Sequence, residues 1–210
     1  MMIGDNHMCG RYYIDDDTAK ETEKLVRQAE AKLHSASAAA IRRIGSADIH
    51  PSEEAPVLLA DGGGIACVWL RWGFPMEQGQ KKRLVFNARC ESAAEKPFFR
   101  DGIRHRRIAV PAAAFYEWDK SKTKYTFQRQ EQKALYMAGC CRHYSDGEHF
   151  IILTTDANSS MQPIHNRMPL LLEETEVRDW ILNSDRTDSL LRKIPPLLDC
   201  GTDFEQMSFF

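Results

Sequence analysis

Apolar and polar positions follow two periods along the chain: a helical one near its ends and a strand-like one through its middle. Over residues 18–33, Leu25, Val26, Ala29 and Leu33 fall on one helical face, and Thr18 with Glu21 has the spacing of a capping box. A surface helix with one buried stripe is expected there. Residues 55–60 and 65–72 are apolar and β-rich and flank Asp61-Gly62-Gly63-Gly64. Glycine supplies the positive φ of a tight reversal, so this stretch predicts a hairpin. Further strands are expected at 84–88, 107–110, 124–128, 134–144, 150–155 and 168–172, with a last one at 204–210. Short helices fit 93–99 and 159–164. Residues 173–182 set Val177, Trp180 and Ile181 behind an acidic first turn that complements a helix dipole. The sum is an α+β fold, a mainly antiparallel sheet curled toward a barrel with flanking helices.

Composition narrows the setting. With 210 residues, 43% hydrophobic and 28% charged, the chain suits one globular domain with a sizeable core. It has no run near the roughly 18 apolar residues of a membrane span and no secretory layout at its start, so a soluble, cytoplasmic protein is expected. A formal net charge of -2 is not the footprint of a general nucleic-acid binder. Any DNA contact must come from a local patch such as Gln80–Arg83 or Arg100–Arg107, although each run alone reads more readily as a solvated face. The six cysteines form no C-x-x-C pair and no His stands at zinc-finger spacing, so no metal site is expected. Cys67, Cys140 and Cys141 lie in apolar runs, where a thiol acts as a small hydrophobe. Cys9, in Met8-Cys9-Gly10-Arg11, does not, and it is the first candidate for chemistry.

Three other segments carry reactive groups: Asn87-Ala88-Arg89-Cys90-Glu91, Phe115-Tyr116-Glu117-Trp118 and His165-Asn166-Arg167-Met168-Pro169. Glu117 is flanked by three aromatics, and desolvation raises a carboxyl toward the range useful for general acid catalysis. Each residue alone has an ordinary alternative: Asn87 satisfying backbone groups, Glu117 paired with an arginine, His165 capped in the core. Together with a reactive cysteine they form a parts list for covalent chemistry at an anionic substrate.

In order and spacing, Met8-Cys9-Gly10-Arg11, Trp72-Gly73, Asn87-Ala88-Arg89-x-Glu91, Pro111 ahead of Phe115–Trp118, and His165-x-Arg167-Met168-Pro169 resemble the SOS-response-associated peptidase (SRAP) family of abasic-site processing proteins. The match runs from residue 8 to about 172. The resemblance implies a protein that captures abasic sites in single-stranded DNA during the DNA damage (SOS) response. Its cysteine becomes the N-terminal residue and closes a thiazolidine on the opened sugar. An α-amine, with a pKa near 7.7–8.0 against about 10.4 for lysine, is partly free at neutral pH. By similarity, Cys9, Asn87, Glu117 and His165 are the catalytic set: Glu117 the acid/base, His165 a proton carrier near the sugar, and Asn87 a positioning group. Arg11, Arg89 and Arg167 would hold phosphates. Trp72 and Phe74 would offer faces to bases or sugar, with core packing equally open for Trp72. Neither metal nor organic cofactor is implied, and a monomeric, bacterial-type cytoplasmic protein is expected. Two other classes stay open: a cysteine-type peptidase acting on its own N-terminal segment, and a non-catalytic DNA-binding module.

The chain departs from the pattern in three places. Residues 1–7 precede Met8, and a peptide-bonded Cys9 has no free α-amine, so the active form is expected to be a single domain within 8–210 that begins at Cys9. Asp48-Ile49-His50-Pro51 places an acid near the expected DNA path. The segment between Trp72 and Asn87 is short, which implies a shallower groove.

Overall fold

The computed structural model describes residues 10–29, 35–78 and 81–202. In chain order its elements are β1 (Tyr12–Ile14), α1 (Asp16–Ala29), α2 (Ser35–Arg42), β2 (Ala47–Ile49), β3 (Glu54–Asp61), β4 (Gly64–Trp72), β5 (Phe74–Gln78), β6 (Lys81–Val85), β7 (Asn87–Arg89), α3 (Cys90–Ala93), α4 (Pro97–His105), β8 (Arg107–Ala112), β9 (Ala114–Trp118), β10 (Lys124–Gln128), β11 (Leu135–Tyr144), β12 (Gly147–Asp156), β13 (Arg167–Pro169), β14 (Leu171–Leu172), α5 (Glu174–Leu182), α6 (Thr187–Leu191) and β15 (Asp199–Thr202).

The β3–β4 hairpin forms as its glycines require. The strands pair from Glu54↔Arg71 to Asp61↔Gly64. Gly62 and Gly63 turn the chain at φ 55° and 87°, values that a side chain would strain. β8 pairs with β3, β11 with β8 and β12 with β11, all antiparallel. β12 then returns to β4 in parallel at His149↔Arg71 and Phe150↔Trp72. Five strands thus close into a ring, which leaves no edge among them. The curled, mainly antiparallel sheet expected from the alternation is the fold observed.

One side of β12 hosts two partners in succession. It pairs with β4 up to Phe150 and with β7 from Ile152↔Asn87 to Thr154↔Arg89. The ladder runs on without a gap: Gly73 N–H donates to Phe150 O at 2.7 Å and Ile152 N–H donates to Phe86 O at 3.0 Å. The chain between them leaves as the β5–β6 ribbon. Gly73, at φ 115°, makes that exit possible, because a Cβ there would sit 2.5 Å from the Leu84 side chain.

A second sheet, β15-β10-β9-β1-β2, packs beside the ring. Helix α5 is fastened to β8 by the Trp180 indole N–H donating to Ile108 O at 2.8 Å. The buried Arg107 guanidinium donates to Trp180 O at 2.5 Å and Arg104 O at 2.7 Å, joining α4 and α5.

Several local expectations shift. Helix α1 begins at Asp16 because Asp15 is its cap, accepting from the Thr18 N–H (2.8 Å) and hydroxyl (2.7 Å), whereas Thr18 is buried within the first turn. The helix expected at 93–99 is α4, displaced to start at Pro97, whose missing N–H costs nothing at a first helical position. Residues 159–164 form turns, since the Asn158 side-chain Oδ1 accepts from Ser160 N–H (3.0 Å) and hydroxyl (2.6 Å) and competes with helix formation. The strands expected at 84–88 and 168–172 break at Phe86 and Leu170. Leu33 and the strand expected at 204–210 lie outside the described residues. Among the described residues, no helix is long and apolar enough to cross a membrane.

Candidate active site

The register of β1 against β9 builds the first half of the site. Tyr12 faces Phe115 and Tyr13 faces Ala114. The pairing extends by one further bond, Tyr116 N–H to Arg11 O at 3.0 Å. One more step in the same register sets Gly10 beside Glu117. From the other side comes Phe86, whose ring would lie 3.8 Å from a Cβ on Gly10, and Asn87 follows it directly. The register thus sets Glu117, only 4% exposed, opposite Gly10, and half-buried Asn87 is the chain neighbour of the ring that approaches Gly10. Cys9 lies outside the described residues.

Arg11 is held above this junction. Its guanidinium donates to the Asp48 carboxylate and lies 5.2 Å from the Tyr116 ring centroid. Desolvation works against the Asp48 charge, but hydrogen bonds from Arg11 and Tyr116 hold that carboxyl below its ordinary range. Burial, and then the bond to Asp48, pushes the Tyr116 phenol up to about 12. Asp48, which the sequence places as an acid near the DNA path, is thus the partner that orients Arg11.

The second half of the site lies along the end of β12. Arg167, with a side chain 9% exposed, grips Glu91 through two parallel bonds of 2.7 and 2.9 Å. It also donates to Asp156 at 2.5 Å and to Thr154 O at 2.7 Å. Burial opposes the Glu91 charge, yet the Arg167 fork keeps its carboxyl below the usual value. The Arg167 main-chain N–H points at His165 Nδ1, 3.1 Å away, so that nitrogen accepts and the neutral ring carries its proton on Nε2. The 3.3 Å approach of Nδ1 to Arg167 O would need the opposite tautomer and is the longer of the two. Arg89 is exposed on β7, between the two halves.

Packing leaves three of the residues expected to contact DNA with little exposed surface. Trp72 is fully buried, stacked 6.2 Å from Phe150, with its indole N–H donating to Phe86 O at 3.0 Å. Phe74, 1% exposed, packs against Phe98 and Tyr144. Neither ring has a face for a base. Arg167 spends its guanidinium on internal acceptors and braces His165 instead of meeting solvent. Sequence reasoning gave no role to Glu91, Tyr116 or Asp156. The fixed Arg89-x-Glu91 spacing was the available signal for the first, since it aims an acid at Arg167.

The four buried thiols are poor nucleophiles. Burial pushes both Cys67 and Cys90 up to about 12, and raises Cys140 and Cys141 as well. Among the described residues, no group of three or more His, Cys, Asp or Glu could hold a metal ion. An open cleft of about 700 Å³ flanks the Arg167 cluster, lined in part by Glu91, Asp156 and Lys193.

The family model for SOS response associated peptidase (SRAP) matches residues 8–203. The chain belongs to the SRAP family. This SRAP protein is 29% identical over 161 residues to abasic site processing protein YoaM of Bacillus subtilis, covering 71% of each chain. It is 30% identical over 155 residues to abasic site processing protein YoqW of the same organism, covering 68% of this chain and 69% of that one. The solved structure of a phage-related protein from Bordetella bronchiseptica has the same fold, with a TM-score of 0.72 at 21% identity over 92% of this chain and 93% of that one. Both halves of the site fall within the matched span of the SRAP protein.

Proposed function

We propose that this SRAP protein processes abasic sites in single-stranded DNA by capturing them covalently on Cys9. The reading is supported by the β1–β9 register, which sets buried Glu117 opposite Gly10, the residue bonded to Cys9, and by Phe86, next to Asn87, whose ring approaches the same glycine. The active form starts at Cys9 with a free α-amine. That amine adds to the C1′ aldehyde of the opened sugar, and the carbinolamine loses water to give an imine. The thiol then adds to the imine carbon, its proton passes to nitrogen, and a five-membered thiazolidine closes. No oxidant is consumed. Glu117 protonates the departing hydroxyl, a task that suits an enclosed carboxyl. His165, its Nε2–H set by Arg167, carries protons at the sugar. Asn87 orients the Cys9 backbone, and exposed Arg89 with Arg11 meets the flanking phosphates. The protein acts as a monomer on this reading.

The test is a denaturing gel of the Cys9-initiated protein with single strands carrying an abasic site. A shifted band that withstands denaturant is expected, absent with intact DNA and with Cys9→Ala, and formed at least tenfold more slowly with Glu117→Gln. A mature protein that leaves abasic strands unshifted would falsify the reading. The family description also supports a second activity, removal of the segment before Cys9 by its own thiol. That activity predicts trimming of the full chain at Met8-Cys9, lost in Cys9→Ala, when purified protein is followed by mass spectrometry.

A further inference from the structure

The cations of α4 are not explained by the helix that carries them. Lys96 is its N-cap residue and Arg100 closes a first turn that contains no acid. Both meet the positive end of the peptide dipoles, where a cation costs stability. Only Arg104, in the last turn, is favoured there. The three recur at every fourth residue, so they form one ridge with a step of about 6 Å along the helix. The rotation of α4 is fixed from behind. Gly102 and Ile103 are buried, and a Cβ on Gly102 would lie 2.9 Å from Cys140 Sγ. The ridge must therefore face outward, and all three side chains are exposed.

The structure also divides the basic run 100–107 by task. Arg106 is paired with Glu148 and Arg107 is buried on main-chain carbonyls. Lys96, Arg100 and Arg104 make no ion pair among the described residues, although exposed Glu95 and Asp101 beside them reduce the local charge. The ridge begins seven residues after Arg89, and α3, which packs against both β7 and α4, lies between them.

We infer that Lys96, Arg100 and Arg104 form a phosphate track for the DNA strand flanking the captured lesion; this rests on the proposed function. Their spacing is comparable to that of successive phosphates in an extended strand, and the track reads backbone without sequence.

The experiment uses the full chain and a fluorescent single strand bearing a tetrahydrofuran abasic analogue, which has no aldehyde and binds reversibly. Anisotropy titrations compare the wild type with Lys96→Gln/Arg100→Gln/Arg104→Gln, a variant of similar helix propensity. Three lost phosphate contacts reduce the salt slope by about 2, so between 50 and 200 mM salt the wild type loses roughly 20-fold more affinity than the variant. The two proteins bind alike to a strand truncated at the lesion on the track side. Equal slopes on the long strand, or no salt-dependent binding by either protein, overturn the inference. Crosslinking of an aldehyde-bearing strand by mature protein is read separately: its absence from both proteins overturns the proposed function and leaves the anisotropy result standing.

Discussion

Glu91→Gln isolates the ion pair that braces the histidine arm. Gln preserves the shape of the side chain and one acceptor, but removes the charge and half of the two-bond grip on Arg167. Removing one partner of a fully buried pair costs about 3–5 kcal/mol, whereas an exposed pair is worth about 0–1 kcal/mol. Here the arginine side chain is 9% exposed and the glutamate 49%, so solvent screens one end only. Asp156 still faces the guanidinium, although it is itself largely exposed. A loss of about 2 kcal/mol is expected, read as a lower urea midpoint at unchanged slope, or as a fall of about 4–8 °C in Tm for a chain of this length. The pH dependence gives an independent check. The folded Glu91 carboxyl sits below its ordinary value, so its contribution is present above the unfolded carboxyl pKa and is lost as pH falls through the folded one. The gap between wild type and variant therefore closes on acidification from pH 5 to about 3. A variant within about 0.5 kcal/mol of wild type at pH 7, or a gap that persists unchanged at low pH, would refute the assignment.

Other outcomes follow from neighbouring contacts. Asp48→Asn removes the second cause of the raised Tyr116 phenol, so the phenolate absorbance should titrate below about 12; an unchanged titration would break the Arg11–Asp48–Tyr116 link. Freed Arg11 should also strengthen binding of single strands at low salt, by up to about tenfold. Gly73→Ala forces a side chain onto φ 115° and into Leu84, and should lower stability by about 1–3 kcal/mol in thermal melts, while an unaffected melt would remove the requirement for glycine. Trp72→Ala should cost about 3–5 kcal/mol as a core truncation. If it instead kept full stability and lost only DNA affinity, the burial argument would be wrong.

The ring of strands was legible because its signals are local. The Gly62-Gly63 turn and the apolar runs on either side fix a hairpin without distant information, and β10 appears at its expected residues. Boundaries failed where a side chain competed with the period: Asp15 captured the start of α1, and Asn158 turned a helical stretch into loops. The weakly patterned Ser-Ala run of α2 gave no stripe to find. At the site, motif spacing proposed Asn87, Glu117 and His165 as candidates, but composition cannot tell a stacking tryptophan from a core one. Trp72 lies on the β4 seam, and only the tertiary pairing with β12 shows that both its faces are covered. The purpose of Asp48 was equally invisible, since 37 residues separate it from Arg11.

The uninterrupted ladder on β12 makes the β5–β6 ribbon beyond Phe74 an excursion from the ring, with Phe74 itself anchored in the core. Because Gly73 and Phe86 occupy consecutive places against Phe150 and Ile152, a change in the length of the ribbon between them is expected to leave Asn87 in register with Ile152. Groove depth and reactive geometry thus become separately adjustable properties. Ribbon grafts from longer relatives offer a direct way to test how groove depth affects DNA binding without redesigning the residues proposed to react.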